Sequence, residues 1–255
     1  MQTVEGTMET PERTTETMGD FRRLLHENME VISSDLVHLA ALVGESVVRG
    51  TEALLSGEPA LAKEVIDNDD RLDALSLRVE ESCFRLLALQ GPMASDLRTI
   101  VATMRINAEL ERSGDLMVNV AKGARRISTV EIPPVVRGIV QQMADEATRM
   151  LRFAMDSYVD RSGPLGAALH DLDDRLDDLQ SEFVAAIFEA DERGELPISG
   201  AVQLALIARY YERIGDHAVN IGERVQFMAE GVMAGHAHEA ALAELERAQP
   251  ERLGQ

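Results

Sequence analysis

The chain has 255 residues, with 25 Lys and Arg against 45 Asp and Glu, for a formal net charge of −20. A surface this acidic repels phosphate backbones and anionic lipid headgroups, which argues against direct nucleic-acid binding and favours cations and basic protein partners. Aromatic residues are 4% of the chain and Trp is absent, so the core is expected to be Leu, Ile, Val, Ala and Met, which suits packed helices better than a β-sandwich.

Residues 1–17 are polar and rich in Thr and Glu, without helical periodicity, and read as a disordered tail. No basic start followed by an apolar stretch marks a signal peptide. The apolar run from Leu36 to Val48 is interrupted by His38 and Glu45 and is too short to cross a bilayer. A cytoplasmic protein is expected. Long helical patterns follow, separated by turn signals at Gly57-Glu58-Pro59, Gly91-Pro92, Pro133-Pro134, Gly163-Pro164 and Gly194-Glu195-Leu196-Pro197. Each contains a Pro where a helix can begin without losing a needed N–H. The result is six segments of about 25–40 residues, longer than ordinary globular helices. The single cysteine, Cys83, lies in an apolar run and has no partner for an internal disulfide; it reads as a small core residue.

The fifth segment carries Leu165, Leu169, Leu172, Leu176, Leu179, Phe183 and Ile187. The sixth carries Ile207, Tyr211, Ile214, Ala218, Ile221, Val225 and Met228. Spacings of three and four make both into helical seams of the bundle type. The expected fold class is all-α: two tandem three-helix bundles made from six long antiparallel helices joined by short loops. The segment from residue 234 to 255 reads as a second flexible tail.

The chain repeats itself. Asp69-Asp70-Arg71-Leu72-Asp73 matches Asp173-Asp174-Arg175-Leu176-Asp177 at an offset of 104, and Glu111-Arg112-Ser113-Gly114-Asp115 matches Glu212-Arg213-Ile214-Gly215-Asp216 at 101. A shorter loop in the second half absorbs the difference. The halves are therefore placed at 18–130 and 131–233.

The repeated positions are chemically specific. Residues four apart on a helix share a face, so Glu111, Asp115 and Asn119 form a column of oxygen atoms, as do Glu212, Asp216 and Asn220. Asp69 with Asp73, and Asp173 with Asp177, form shorter columns on the preceding helices. Facing columns would crowd like charges, a conflict that a hard cation such as Mg²⁺, Mn²⁺, Ca²⁺ or iron relieves. Gly114 and Gly215 sit inside the columns at matching places, where a mid-helix glycine costs about 1 kcal/mol relative to Ala and points to close approach. A competing reading is that the acids are ion-paired with Arg71, Arg112, Arg175 and Arg213.

Two halves, each with an Asp-x-x-x-Asp helix followed by a Glu-Arg-x-Gly-Asp-x-x-x-Asn helix, resemble the PhoU family. The stretch from Tyr210 to Ile221 is very similar to that family's hallmark, and Leu87 to Arg98 is also like it; the likeness spans roughly residues 20–230. The resemblance implies a cytoplasmic, non-enzymatic, often dimeric negative regulator of the phosphate response. It implies coupling between the ATPase subunit of a phosphate ABC transporter and a sensor histidine kinase, with membrane association only through those partners. It also implies metal clusters of iron, zinc, manganese or magnesium. Carried over by position, the first site uses Asp69, Asp73, Glu111, Asp115 and Asn119, and the second uses Asp173, Asp177, Glu212, Asp216 and Asn220. The position matching Asp96 at the 101 offset is Pro197, so Asp96 has no acidic counterpart in the second half.

Other chemistries find little support. A di-iron oxidase needs Glu-x-x-His pairs, and none of His26, His38, His170, His217, His236 and His238 has Glu three residues before it. His217 adjoins Asp216 but points about 100° away on the helix, as a packing residue or an outer partner of a ligand would, and not as a ligand. No nucleophile elbow, phosphate-cradling glycine loop or Cys–His signature is present. A metal-free helical adaptor using the acidic faces for protein binding is the remaining alternative.

Overall fold

In the computed structural model, residues 11–231 are described in backbone and 22–231 in side chains. Among the described residues eight helices follow in order: α1 (Pro11–Ser56), α2 (Pro59–Asp67), α3 (Asp69–Gln90), α4 (Ser95–Arg126), α5 (Pro134–Val159), α6 (Gly163–Ala167), α7 (Leu169–Glu192) and α8 (Ile198–Glu230). No strand occurs among the described residues. The six long helices are α1, α3, α4, α5, α7 and α8. The two short ones are leading turns of the expected second and fifth segments, set off by single-residue breaks at Asn68 and Ala168. Asn68 carries no Pro or Gly signal, so its break is invisible to a search for turn residues.

Within the described residues α1 runs from Pro11, so the backbone of residues 11–17, assigned above to a tail, is helical. The tail from 234 to 255 and residues 1–10 lie outside the described residues.

The expected turns are all used. Gly57 and Gly194 take positive φ at +70° and +67°, and Gly91 closes α3 in the left-handed conformation, where a side chain would be strained. Pro59 and Pro134 open α2 and α5.

The apolar seams pack as their spacing predicts. Leu25, Met29, Ile32, Leu36, Leu39, Val43 and Val47 of α1 are buried, and so is the whole α8 seam from Ile207 to Met228. By length and composition alone the stretch 22–56 of α1 could cross a membrane. A core helix meets the same test, and α1 spends its apolar face against α3, α4 and α5.

Helices α1 to α4 form one bundle and α5 to α8 the other, joined through α4 against α8 and α1 against α5. The α4–α8 pair is antiparallel: Gly123 late in α4 meets Ile207 early in α8, and Arg98 early in α4 meets Gly231 after α8. One continuous apolar core runs through both bundles. Buried tyrosines tie it across the join. Tyr211 of α8 bonds Thr51 of α1 at 2.6 Å, and Tyr158 of α5 bonds Thr103 of α4 at 3.0 Å.

Helices α6 and α8 approach closely at Gly166 and Gly222. A Cβ on Gly222 would lie 2.4 Å from the Gly166 carbonyl oxygen, whereas a Cβ on Gly138 in α5 would meet nothing within 4 Å. Gly222→Ala is therefore expected to cost about 1–3 kcal/mol and lower Tm by roughly 2–10 °C. Gly138→Ala is expected to raise stability by about 0.5–1 kcal/mol. Thermal unfolding of the two variants beside wild type checks both signs.

Candidate metal centres

The acidic columns stand on α3 with α4 and on α7 with α8, the second and third long helices of each half. Their convergence is a by-product of apolar packing. Leu72 and Leu75 of α3 are buried, as are Leu110, Met117 and Val120 of α4; that contact brings the flanking acids together at the rim of the core. Leu176 and Leu179 of α7 with Ile214 and Ala218 of α8 do the same in the second half.

The charges in each set feel one another. In the first, Asp69 is held above the usual carboxylate range by burial and by Asp73 and Asp115, and Glu111 is raised by burial, Asp115 and Asp73. In the second, burial with Asp177 and Asp216 pushes Asp173 up to about 6, and Glu212 is raised by burial, Asp216 and Asp177. Four of the predicted carboxylates are thus grouped in each half. Asn119 and Asn220 lie half-buried on the same helices.

The ion-pair alternative fails at the predicted arginines. Among the described residues, the ion pair made by these column acids is Glu212 with Arg209. Arg112 turns to Glu109, and Arg175 to Gln142 and Glu182.

The donor set also fits a hard cation. All donors are oxygen. Asp173 Oδ1 and Glu212 Oε2 are buried with no hydrogen-bond partner, and an uncompensated buried carboxylate oxygen is costly. Gly215 lets α7 come close, since a Cβ there would lie 2.6 Å from Leu176 Cδ2 and 2.8 Å from Asp173 Oδ1. Gly114 is different: a Cβ would meet Leu72 at an ordinary 3.5 Å, so close approach explains only one of the two glycines. Among the described residues, no three acidic, His or Cys side chains already close to metal-holding distance. Loading would need rotamer changes at the exposed members Asp73, Asp115 and Asp177.

Asp96 is elsewhere. It lies 3.6 Å from His26, in a cavity of about 330 Å³ that Cys83 and Arg161 also line. Cys83 is a buried core residue, its thiol pushed up to about 12 by burial and by Glu80.

Sequence reasoning missed Glu109. It is buried in the α4–α8 join, where its Oε2 accepts from His217 Nδ1 at 2.6 Å and from Asn220 Nδ2 at 3.4 Å. Burial alone would raise Glu109, but the hydrogen bond and charge of His217, then Asn220 and Arg112, outweigh it and hold the carboxyl below its usual range. His217 faces away from the Asp216 column, as its 100° offset predicts. Its partner was hidden because the residue matching Glu109 in the second half is Tyr210, so the repeat does not flag it.

Fold and site together define a class: a two-repeat, all-helical protein with one acidic column pair per repeat. A profile for the PhoU domain matches residues 36–124 and 140–225, one copy in each bundle. A Mycobacterium tuberculosis protein, phosphate-specific transport system accessory protein PhoU homolog 2, is 35% identical over 82% of this chain and 98% of its own. The Rhizobium meliloti PhoU homolog is 30% identical over 80% of this chain and 86% of its own. The crystal structure of PhoU from Pseudomonas aeruginosa superposes with a TM-score of 0.75 at 27% identity, covering 81% of this chain and 99% of that one. That of the phosphate transport system regulatory protein PhoU from Streptococcus pneumoniae gives 0.74 at 25%, covering 84% and 99%. The chain belongs to the PhoU family, whose members are accessory proteins and not enzymes.

The raised pKa of Asp173 has a signed consequence. A carboxyl whose folded pKa lies above its unfolded value near 3.9 stabilises the fold at low pH, and that contribution is lost as pH rises through the folded value. In metal-free protein held in chelator, its contribution to Tm should fall between about pH 4 and pH 6–7. Asp173→Asn should flatten that slope and raise Tm at pH 7, as thermal unfolding across pH would record.

Proposed function

We propose that this chain is a non-enzymatic regulator of phosphate transport and of the phosphate-starvation response. It represses that response by coupling the ATPase subunit of a phosphate ABC transporter to a sensor histidine kinase. It works in the cytoplasm as a homodimer and reaches the membrane through those partners. The observation that carries the proposal is the match over nearly the whole helical body to relatives named as phosphate-specific transport system accessory proteins, with both domain copies intact.

The acidic columns supply the second part of the reading. Asp69, Asp73, Glu111, Asp115 and Asn119 hold cations between α3 and α4. Asp173, Asp177, Glu212, Asp216 and Asn220 hold them between α7 and α8. A bound iron, manganese, zinc or magnesium ion supplies the positive charge that lets like-charged side chains share a helix–helix seam. The chain's own part is to present oxygen donors on two rigid helices, so that loading stiffens each helix pair and the partner-facing surface with it. A metal-free adaptor, offering the same acidic faces to basic partner surfaces, is supported by the open spacing of the acids.

A strain lacking the gene separates these readings. Phosphate-starvation genes should be active in high phosphate and silenced again by the wild-type chain. Failure of the wild type to restore repression would sink the regulatory reading. Asp115→Ala/Asp216→Ala should fail to silence if cations are required; full repression by that variant would favour the adaptor.

A further inference from the structure

Asn220 differs from the other column members because its amide nitrogen is already committed. Its Nδ2 donates to Glu109 Oε2, which also accepts from His217 Nδ1. Glu109 belongs to α4, in the other half of the molecule. The hydrogen bond engages the NH₂ end of the amide at 3.4 Å. With its nitrogen turned to Glu109, the Asn220 amide keeps Oδ1 as its available acceptor. Asn220 stands one turn beyond Asp216 and two beyond Glu212 on the column face. Oxygen is the end that a hard cation takes.

We propose that Glu109 is a positioning residue for the second cation site, fixing the Asn220 amide so that its oxygen is offered to the ion. The inference rests on the reading of the α7–α8 column as a cation site. Outer hydrogen-bond partners of this sort set ligand geometry and commonly govern metal affinity by 10- to 100-fold.

The first half has no such device. At the matching offset Tyr210 replaces Glu109, and Leu116 stands where the second half has His217. Asn119 thus lacks the carboxylate that orients Asn220. The duplicated columns are unequal in preorganisation. The second site, built with a residue from each half, binds more tightly, and its loading is felt across the α4–α8 join.

The test isolates each column in the full chain and titrates it calorimetrically with manganese chloride after chelator treatment. Asp115→Ala leaves the second column intact, and Asp216→Ala leaves the first. Removing Glu109 alone would strand His217 in the core, so the probe is Glu109→Leu/His217→Leu. Replacing both partners by apolar groups avoids an orphaned polar atom, and Leu116 shows that leucine suits the matching place. In the Asp115→Ala background the probe should weaken Mn²⁺ binding about 10- to 100-fold. In the Asp216→Ala background it should change binding by less than about threefold, within the scatter of independent sites. Adding Asn220→Leu to the probe should cause no further loss. An unchanged second column, an equal loss at both columns, or a further full loss on adding Asn220→Leu would overturn the positioning role. If Asp115→Ala and wild type both fail to bind Mn²⁺, the cation reading itself falls and the positioning role with it.

Discussion

In each half, an apolar seam forces like charges together. Leu72 packs beside Gly114 of α4, and Leu176 beside Gly215 of α8. Because residues four apart share a helix face, the acids beside those seams are carried into one another's fields. Burial of the seams is worth far more than the repulsion costs: about 1.5–3 kcal/mol for each fully buried aliphatic side chain. The helices therefore do not part. Burial first, and the neighbouring carboxylates after it, hold Asp69, Glu111, Asp173 and Glu212 above the usual carboxylate range.

The halves bear that crowding differently. In the second, Gly215 admits α7 so closely that Asp173 Oδ1 is buried without a partner, and Glu212 Oε2 is left the same way. In the first, Gly114 leaves room for a Cβ and Lys122 partly offsets Asp69. Beside the two tyrosine–threonine bonds, Glu109, His217 and Asn220 form a polar cluster in the α4–α8 contact. These hydrogen bonds tie α8, which carries the second column, to α4 of the first half.

Much of this was legible in the sequence. The α8 seam from Ile207 to Met228 and the five proline-containing turns placed the long helices, and the repeat placed both columns on matching helices. Three things were not legible. The breaks at Asn68 and Ala168 carry no Pro or Gly at the broken residue. The unequal roles of Gly114 and Gly215 depend on how near Leu72 and Leu176 come, which no spacing rule contains. Glu109 escaped because its contacts are 108 and 111 residues distant and its repeat partner is a tyrosine. Duplication reveals what the halves share and conceals what joins them.

The most direct test of the central claim, that the converging carboxylates are cation sites, is metal content. The wild-type chain and Asp115→Ala/Asp216→Ala would be purified without chelator, dialysed and measured by elemental mass spectrometry. The account predicts stoichiometric iron, manganese or zinc in the wild type and its loss in the variant. A wild type that retains none, even after incubation with Mn²⁺, Fe²⁺ or Zn²⁺, would contradict it and leave the acidic columns as surfaces for a basic partner.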